Sequence, residues 1–109
     1  MTIKEYQQKT KEFACYPTEP FSWTYPVIAL GEEAGEVQGK FAKAFRDDGG
    51  IITETRKEEI KKELGDVCWE LSQICNELDF DLEQILELNI KKLTDRKNRN
   101  VIHGAGDNR

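Results

Sequence analysis

The sequence predicts an all-α fold of four helices that packs as a bundle and assembles with further copies of itself. All three prolines lie between positions 17 and 26, so the rest of the chain lacks the residue that breaks helices. After Pro26 the apolar residues recur at spacings of three and four, which marks one face of a helix, and the two-residue alternation of strands is absent. Because 34% of the 109 residues are charged, the apolar ones must form stripes or be covered by a partner chain.

Composition excludes several classes of protein. The 21 acidic residues outnumber the 16 basic ones, which argues against a nucleic-acid binder that neutralises phosphates. No apolar run approaches the ~20 residues of a membrane span, and the segment Met1–Glu5 lacks the apolar core of a signal peptide. Three cysteines and one histidine fit neither a disulfide framework nor a zinc site. We therefore expect one soluble cytoplasmic domain over 1–109, with a polar tail at 103–109 and no membrane or nucleic-acid partner.

The first two predicted helices lie on either side of an aromatic loop. The first covers about positions 2–16 and has only a weak apolar stripe. The second starts near Pro26, a residue suited to the first turn of a helix, and runs to about Phe45. Its apolar stripe is spaced by four, three, four and three and consists of Leu30, Ala34, Val37, Phe41 and Ala44.

The third predicted helix has the most regular pattern and begins after a capping threonine, either Thr53 or Thr55. Its stripe predicts a bundle seam and consists of Ile60, Leu64, Val67, Leu71, Ile74 and Leu78. Cys68 and Cys75 flank this stripe and are predicted to be buried thiols.

A fourth helix is predicted to start at Asp79 or Asp81 and to end near a basic stretch at 96–99. A single bundle as short as this one buries little apolar surface. We therefore expect a homo-oligomer, either a dimer or a dimer of dimers.

Two segments, 33–37 and 63–67, repeat the pattern Glu-x-Gly-acid-Val on the second and third helices. Residues three positions apart share a helical face, so each segment presents two neighbouring carboxylates. In both helices the acids precede the stripe residues directly, and packing the two stripes together would bring four carboxylates together. These are Glu33, Glu36, Glu63 and Asp66.

Four neighbouring carboxylates repel one another unless their pKa values rise or a divalent cation binds between the two helices. Magnesium and manganese prefer carboxylate oxygens and keep water positions open for a substrate phosphate. A di-iron site is disfavoured because neither helix carries Glu-x-x-His. Gly35 and Gly65 each destabilise a helix by about 1 kcal/mol relative to alanine, which indicates close helix approach or room beside the acids. A solvated acidic face is the alternative, and the doubled pattern favours the metal site.

The two acidic motifs resemble those of the MazG-like all-α nucleoside triphosphate pyrophosphohydrolases. Glu-Glu-x-x-Glu lies at 32–36 and Glu-x-x-Asp at 63–66, and the resemblance runs from about position 25 to the C-terminus. It implies hydrolysis of a nucleoside or deoxynucleoside triphosphate between the α- and β-phosphates, giving a nucleoside monophosphate and pyrophosphate. It also implies that Glu32 orients or deprotonates the attacking water. The implied ligands of Mg²⁺, or of Mn²⁺ as a substitute, are Glu33, Glu36, Glu63 and Asp66.

Candidate substrate contacts lie outside the acidic motifs. Lys92 and Arg96 are candidates for the phosphates and Asn89 for the sugar or base, because their spacing places them on one face of the fourth helix. Cations near a helix C-terminus also simply complement its dipole. Lys40 can reach phosphates or lie on a solvated face. Trp23 and its aromatic neighbours can stack on a base or serve in core packing or subunit contact.

Two other functions fit the same pattern. A phosphoribosyl-ATP pyrophosphatase cleaves the same kind of bond, so the motifs alone do not separate it from the first interpretation. A non-catalytic helical dimerisation module would use the acids only for a structural metal. This second alternative is disfavoured because an inert bundle has no need for matched glycines beside five acids.

Overall fold

The computed structural model describes all 109 residues and consists of helices without any strand, which confirms the all-α prediction. A short 3-10 turn, Lys11–Phe13, follows the first helix. None of the helices combines the length and apolar character that a bilayer span requires. The four helices are α1, Ile3–Thr10; α2, Thr24–Asp47; α3, Glu54–Glu77; and α4, Leu82–Asn98.

Two side-chain caps fix where α3 and α4 begin. The Thr53 hydroxyl accepts a hydrogen bond from the backbone N–H three residues later at 3.2 Å, so Thr53 and not Thr55 caps α3. The Asp81 carboxylate does the same for α4 at 3.3 Å. Asp79, the other predicted start, lies in the preceding turn with a φ of 55°.

Helices α2 and α3 form a long antiparallel hairpin. Their connection contains Gly49 and Gly50 at φ values of 65° and 79°, a left-handed conformation that glycine adopts without steric strain. Helix α1 packs on α3, and α4 packs mainly on α1.

The Gln7 side chain ties α1 to both neighbours. Its Nε2 donates to Asn76 Oδ1 at 3.0 Å and to the Phe80 carbonyl at 2.8 Å. Its Oε1 accepts from the backbone N–H of Leu82 at 2.9 Å. One amide therefore connects α1, the end of α3 and the start of α4.

The first helix ends earlier than the sequence predicted. The expected helix over 2–16 stops at Thr10 and gives way to the 3-10 turn. The Tyr16 ring stacks on Tyr25 with centroids 5.5 Å apart, and its hydroxyl donates to Glu77 Oε1 at 2.5 Å. These contacts with α2 and α3 replace the last turn of the predicted helix.

The predicted seam of α3 divides into two rows. Ile60 is buried, and the residues seven and fourteen positions later, Val67 and Ile74, are half-buried. Leu64, Leu71 and Leu78 are instead 41–48% exposed. Within a single chain, only the row that begins at Ile60 is covered, and the other half of the predicted bundle seam is exposed. The expectation of two buried thiols is also only half right, because Cys75 is buried and Cys68 is exposed.

The stripe of α2 divides in the same way, since Ala44 is buried while Ala34 and Phe41 are exposed. In each helix the exposed residues come four positions after the covered ones. The exposed row is therefore rotated about the helix axis in the same direction in both helices. Because the helices are antiparallel, both exposed rows lie on one side of the hairpin. We call this side the open apolar face; it consists of Ala34, Phe41, Leu64, Leu71 and Leu78.

The chain as a whole is extended. Its radius of gyration is 17.0 Å, whereas a compact chain of this length has a value of about 13 Å. The buried hydrophobic residues are few: Ala29, Ala44, Ile60 and Cys75.

Candidate metal centre

Facing turns of α2 and α3 bring together three of the predicted acids, Glu33, Glu63 and Asp66. One carboxylate oxygen from each lies within 4.8 Å of the others. Glu33 and Glu63 are half-buried and Asp66 is exposed, so the cluster opens to solvent on one side. We call these three residues the acidic triad. The acidic cluster that the sequence predicts between the second and third helices is thus present.

Local helix geometry explains the arrangement. Asp66 lies three residues after Glu63 and therefore on the same face of α3, while Glu33 comes from the facing turn of α2. Glu36 lies one turn beyond Glu33 and is exposed, as is Glu32. Glu36 is outside the group of three, so the structure places it at the margin of the centre rather than within it.

The electrostatics of the triad are unfavourable without a cation. Burial raises the pKa of Glu33, and the charges of the neighbouring acids raise it further. Lys40 offsets part of this charge, since its Nζ lies 3.5 Å from Glu63 Oε1. The predicted phosphate contact Lys40 therefore forms an ion pair with the triad. The acids that act on Glu33 are Asp66, Glu32, Glu63 and Glu36.

The donor chemistry of the triad suits a hard divalent cation. All three donors are carboxylate oxygens, the ligands that Mg²⁺ and Mn²⁺ prefer, and no imidazole or thiolate joins them. A divalent cation would also cancel the repulsion that raises the pKa of Glu33. The residues present therefore fit the metal that the sequence implies.

Glu70 is a further acid near the triad that the sequence motifs did not include. It lies one turn after Asp66 on α3, is only 4% exposed, and its Oε2 has no hydrogen-bond partner. Burial raises the pKa of Glu70 to about 7, with further contributions from the charges of Glu33, Asp66 and Glu32. The signal was present in the sequence, because positions 63, 66 and 70 continue the spacing of three and four that defines one helical face.

The cations of α4 pair with the C-terminal tail. Lys92 Nζ lies 2.8 Å from Asp107 Oδ1, and the buried Arg96 guanidinium donates to the Asp107 carboxylate at 3.1 Å and to its backbone carbonyl. These hydrogen bonds lower the pKa of Asp107. In the structure Lys92 and Arg96 therefore pair with Asp107 and not with an acid of the triad. Asn89 is exposed on the same helix.

The aromatic residues before and at the start of α2 form two separate pairs. Trp23 is exposed and stacks on Phe21, with ring centroids 5.5 Å apart and planes 14° apart. Tyr25 stacks on Tyr16 instead. The aromatic group expected around Trp23 is therefore divided, and the pair of Tyr16 and Tyr25 is the one that lies against α3.

The matched glycines lie in open space. A Cβ added at Gly35 or Gly65 would meet no atom within 4 Å. Close approach between helices of one chain, one of the two explanations that the sequence offered, is therefore not observed.

Comparisons with known proteins give one family match and one relative that covers the whole chain. The family model described as the MazG nucleotide pyrophosphohydrolase domain matches residues 26–101, which include the whole acidic triad. The chain is also 38% identical to the Gene 37 protein of Mycobacterium phage L5, over an alignment of 114 positions that covers 100% of each chain. No solved structure matches the chain.

Proposed function

The chain belongs to the MazG nucleotide pyrophosphohydrolase family, and from that premise we propose that it hydrolyses a nucleoside or deoxynucleoside triphosphate between the α- and β-phosphates. The products are a nucleoside monophosphate and pyrophosphate. The observation that carries this proposal is the acidic triad, three carboxylates within 4.8 Å in the matched region. A polyanionic substrate approaches such a centre only when cations bridge the two.

In this proposal Glu33, Glu63 and Asp66 hold Mg²⁺, with Mn²⁺ as a substitute, and Glu36 completes the ligand set from one turn away. When bound, the metal neutralises charge on the phosphates and on the departing pyrophosphate. Glu32 is exposed beside Glu33 and accepts the proton of the attacking water. The water oxygen forms a bond to the α-phosphorus while the bond to the bridging oxygen breaks.

The remaining predicted contacts have roles around the polyphosphate and the nucleoside. Lys92 and Arg96 bind phosphates after exchanging the Asp107 carboxylate for substrate, since both anions suit the same donors. Asn89 contacts the sugar or base, and Lys40 moves from Glu63 to a phosphate once metal neutralises the triad. The exposed ring of Trp23 contributes stacking surface.

We also propose that residues 1–109 form one cytoplasmic domain that works as a homo-oligomer, a dimer or a dimer of dimers. The open apolar face, with Leu64, Leu71 and Leu78 all 41–48% exposed, supports this proposal. A surface of this kind is typical of a face that a partner covers. Light scattering after size exclusion tests it: Leu71→Asp should lower the measured mass, and the exposed-surface control Glu54→Gln should not.

The activity is tested with a panel of the eight common NTPs and dNTPs, with Mg²⁺ and with EDTA. Chromatography of the products separates a monophosphate with pyrophosphate from a diphosphate with phosphate, so it identifies the bond that is cleaved. We expect EDTA-sensitive release of pyrophosphate. Phosphoribosyl-ATP is added to the panel to test that alternative.

Variants of one helix test the site itself. Asp66→Asn should abolish hydrolysis and remove Mg²⁺ binding in calorimetry, with an unchanged far-UV circular dichroism spectrum. Glu54→Gln is the matched control, because Glu54 is an exposed acid at the start of the same helix. Full activity of Asp66→Asn would overturn the metal assignment. Mg²⁺ binding without turnover of any nucleotide would favour the non-catalytic module.

A further inference from the structure

A cavity of about 270 Å³ lies where the loop after α1, the first turn of α2 and the middle of α3 meet. Its walls are largely aromatic and include Phe13, Tyr16, Tyr25 and Trp69. Tyr16 stacks on Tyr25 and meets the Trp69 ring edge-on, with centroids 6.2 Å apart and planes at 85°. The cavity therefore offers flat apolar surfaces in two orientations.

Glu70 is the carboxyl among these aromatic walls. It is 4% exposed and its Oε2 lacks a hydrogen-bond partner. A buried polar group without a partner is destabilising by about 1–3 kcal/mol, and nearly all buried polar groups in proteins are paired. A carboxyl left in this state beside a cavity indicates a ligand that supplies the missing donor.

We propose that this cavity binds the base of the substrate and that Glu70 selects bases with an exocyclic amino group, namely cytosine, adenine and guanine, over uracil and thymine. The inference rests on the proposed nucleotide hydrolysis. Aromatic rings stack on any base, contributing about 1–3 kcal/mol. The amino group donates N–H to the carboxyl oxygen. Uracil and thymine instead place carbonyl oxygens on both sides of their single N–H, so at pH 8, where Glu70 is mainly ionised, a carbonyl oxygen would face a carboxylate oxygen.

The position of the cavity suits a nucleotide that reaches the acidic triad. At a rise of 1.5 Å per residue, Glu70 lies about 6 Å further along α3 than Asp66. The charges of Glu33, Asp66 and Glu32 all act on Glu70, so the two places are electrostatic neighbours. A base beside Glu70 therefore lies about one helical turn from the acids that would hold the metal.

The specificity is tested with Glu70→Gln, which keeps the size of the side chain. The values of kcat/KM for dCTP, dATP, dGTP, dUTP and dTTP are compared in the wild type and in this variant. We expect the wild type to prefer its best amino base over dUTP by at least about tenfold, which is 1.4 kcal/mol. In Glu70→Gln that ratio should fall at least fivefold, because the new amide N–H₂ donates to a carbonyl oxygen. The control Glu54→Gln should leave the ratio at its wild-type value. A ratio that is unchanged in Glu70→Gln as well would overturn the proposal.

Binding in the cavity is tested separately from hydrolysis. Titration with an α,β-methylene dCTP and Mg²⁺ should quench Trp69 fluorescence, which is measured as the difference between the wild type and Trp69→Phe, where Trp23 is the remaining tryptophan. If no nucleotide is hydrolysed but the quench is present, the proposed activity fails while the base site stands. If hydrolysis occurs and the Trp69 signal does not change, the base site fails alone. Circular dichroism of Glu70→Gln and Trp69→Phe checks that both variants are folded.

Discussion

Replacing Glu70 with glutamine removes a buried carboxyl and keeps its shape, so the variant measures what that group contributes to the free energy of unfolding. Burial, with the charges of neighbouring acids, raises the pKa of Glu70 from 4.5 to about 7 in the folded chain. The folded state therefore binds the proton more tightly than the unfolded state. The stability that this proton supplies is fully present below pH 4.5 and is lost as the pH rises through 7. At 1.36 kcal/mol per pH unit the loss is about 3 kcal/mol.

The assay is urea unfolding at fixed protein concentration in EDTA, followed by circular dichroism at pH 5 and at pH 8. Between these values the unfolding free energy of the wild type, relative to Glu70→Gln, should fall by about 2.5 kcal/mol. The same comparison with Glu54→Gln should show no such difference, because Glu54 is exposed. An identical pH dependence in the wild type and in Glu70→Gln would refute the reasoning. It would mean that solvent reaches the carboxyl and keeps its pKa ordinary.

Three further predictions concern the caps, the glycines and the tail. Thr53→Ala removes the cap of α3 and should lower the unfolding free energy by about 1 kcal/mol in urea titrations, whereas Thr55→Ala should leave it nearly unchanged. Gly65→Ala should raise the unfolding free energy by up to about 1 kcal/mol, since the added Cβ meets no atom within 4 Å. The same variant should lower kcat/KM, because the methyl group takes up room beside Asp66, and unchanged activity would contradict a role for Gly65 in leaving that room. Asp107→Asn should lower KM severalfold by weakening its hold on Lys92 and Arg96, and an unchanged KM would exclude these cations from substrate binding.

The features predicted correctly from the sequence depend on short spacings. The acidic pairs repeat at three-residue intervals on two adjacent helices, so the triad followed from helix geometry once α2 and α3 were predicted to pack. The start of α3 was reduced to two threonines, because capping is decided by one hydroxyl and one backbone N–H.

The features that were missed depend on contacts distant in the sequence. The spacing of positions 63, 66 and 70 places Glu70 on the helical face of the acids, but its burial beside a cavity does not follow from that spacing. Residues of the loop after α1 help to form this cavity, and no local pattern shows that the segment around Tyr16 returns to α3. The stripe of α3 was interpreted as one seam, since a spacing of four and three does not reveal that Leu64 and Leu71 are 48% and 41% exposed in the single chain.

The single amide of Gln7 has a consequence for where the functional unit begins. The family match starts at position 26, yet the side chain that joins the end of α3 to the start of α4 comes from α1. A fragment trimmed to 26–109 would keep both acidic motifs and lose the brace that sets the direction of α4. The first helix therefore braces the junction of α3 and α4, and the packed unit extends beyond the segment that the family model matches.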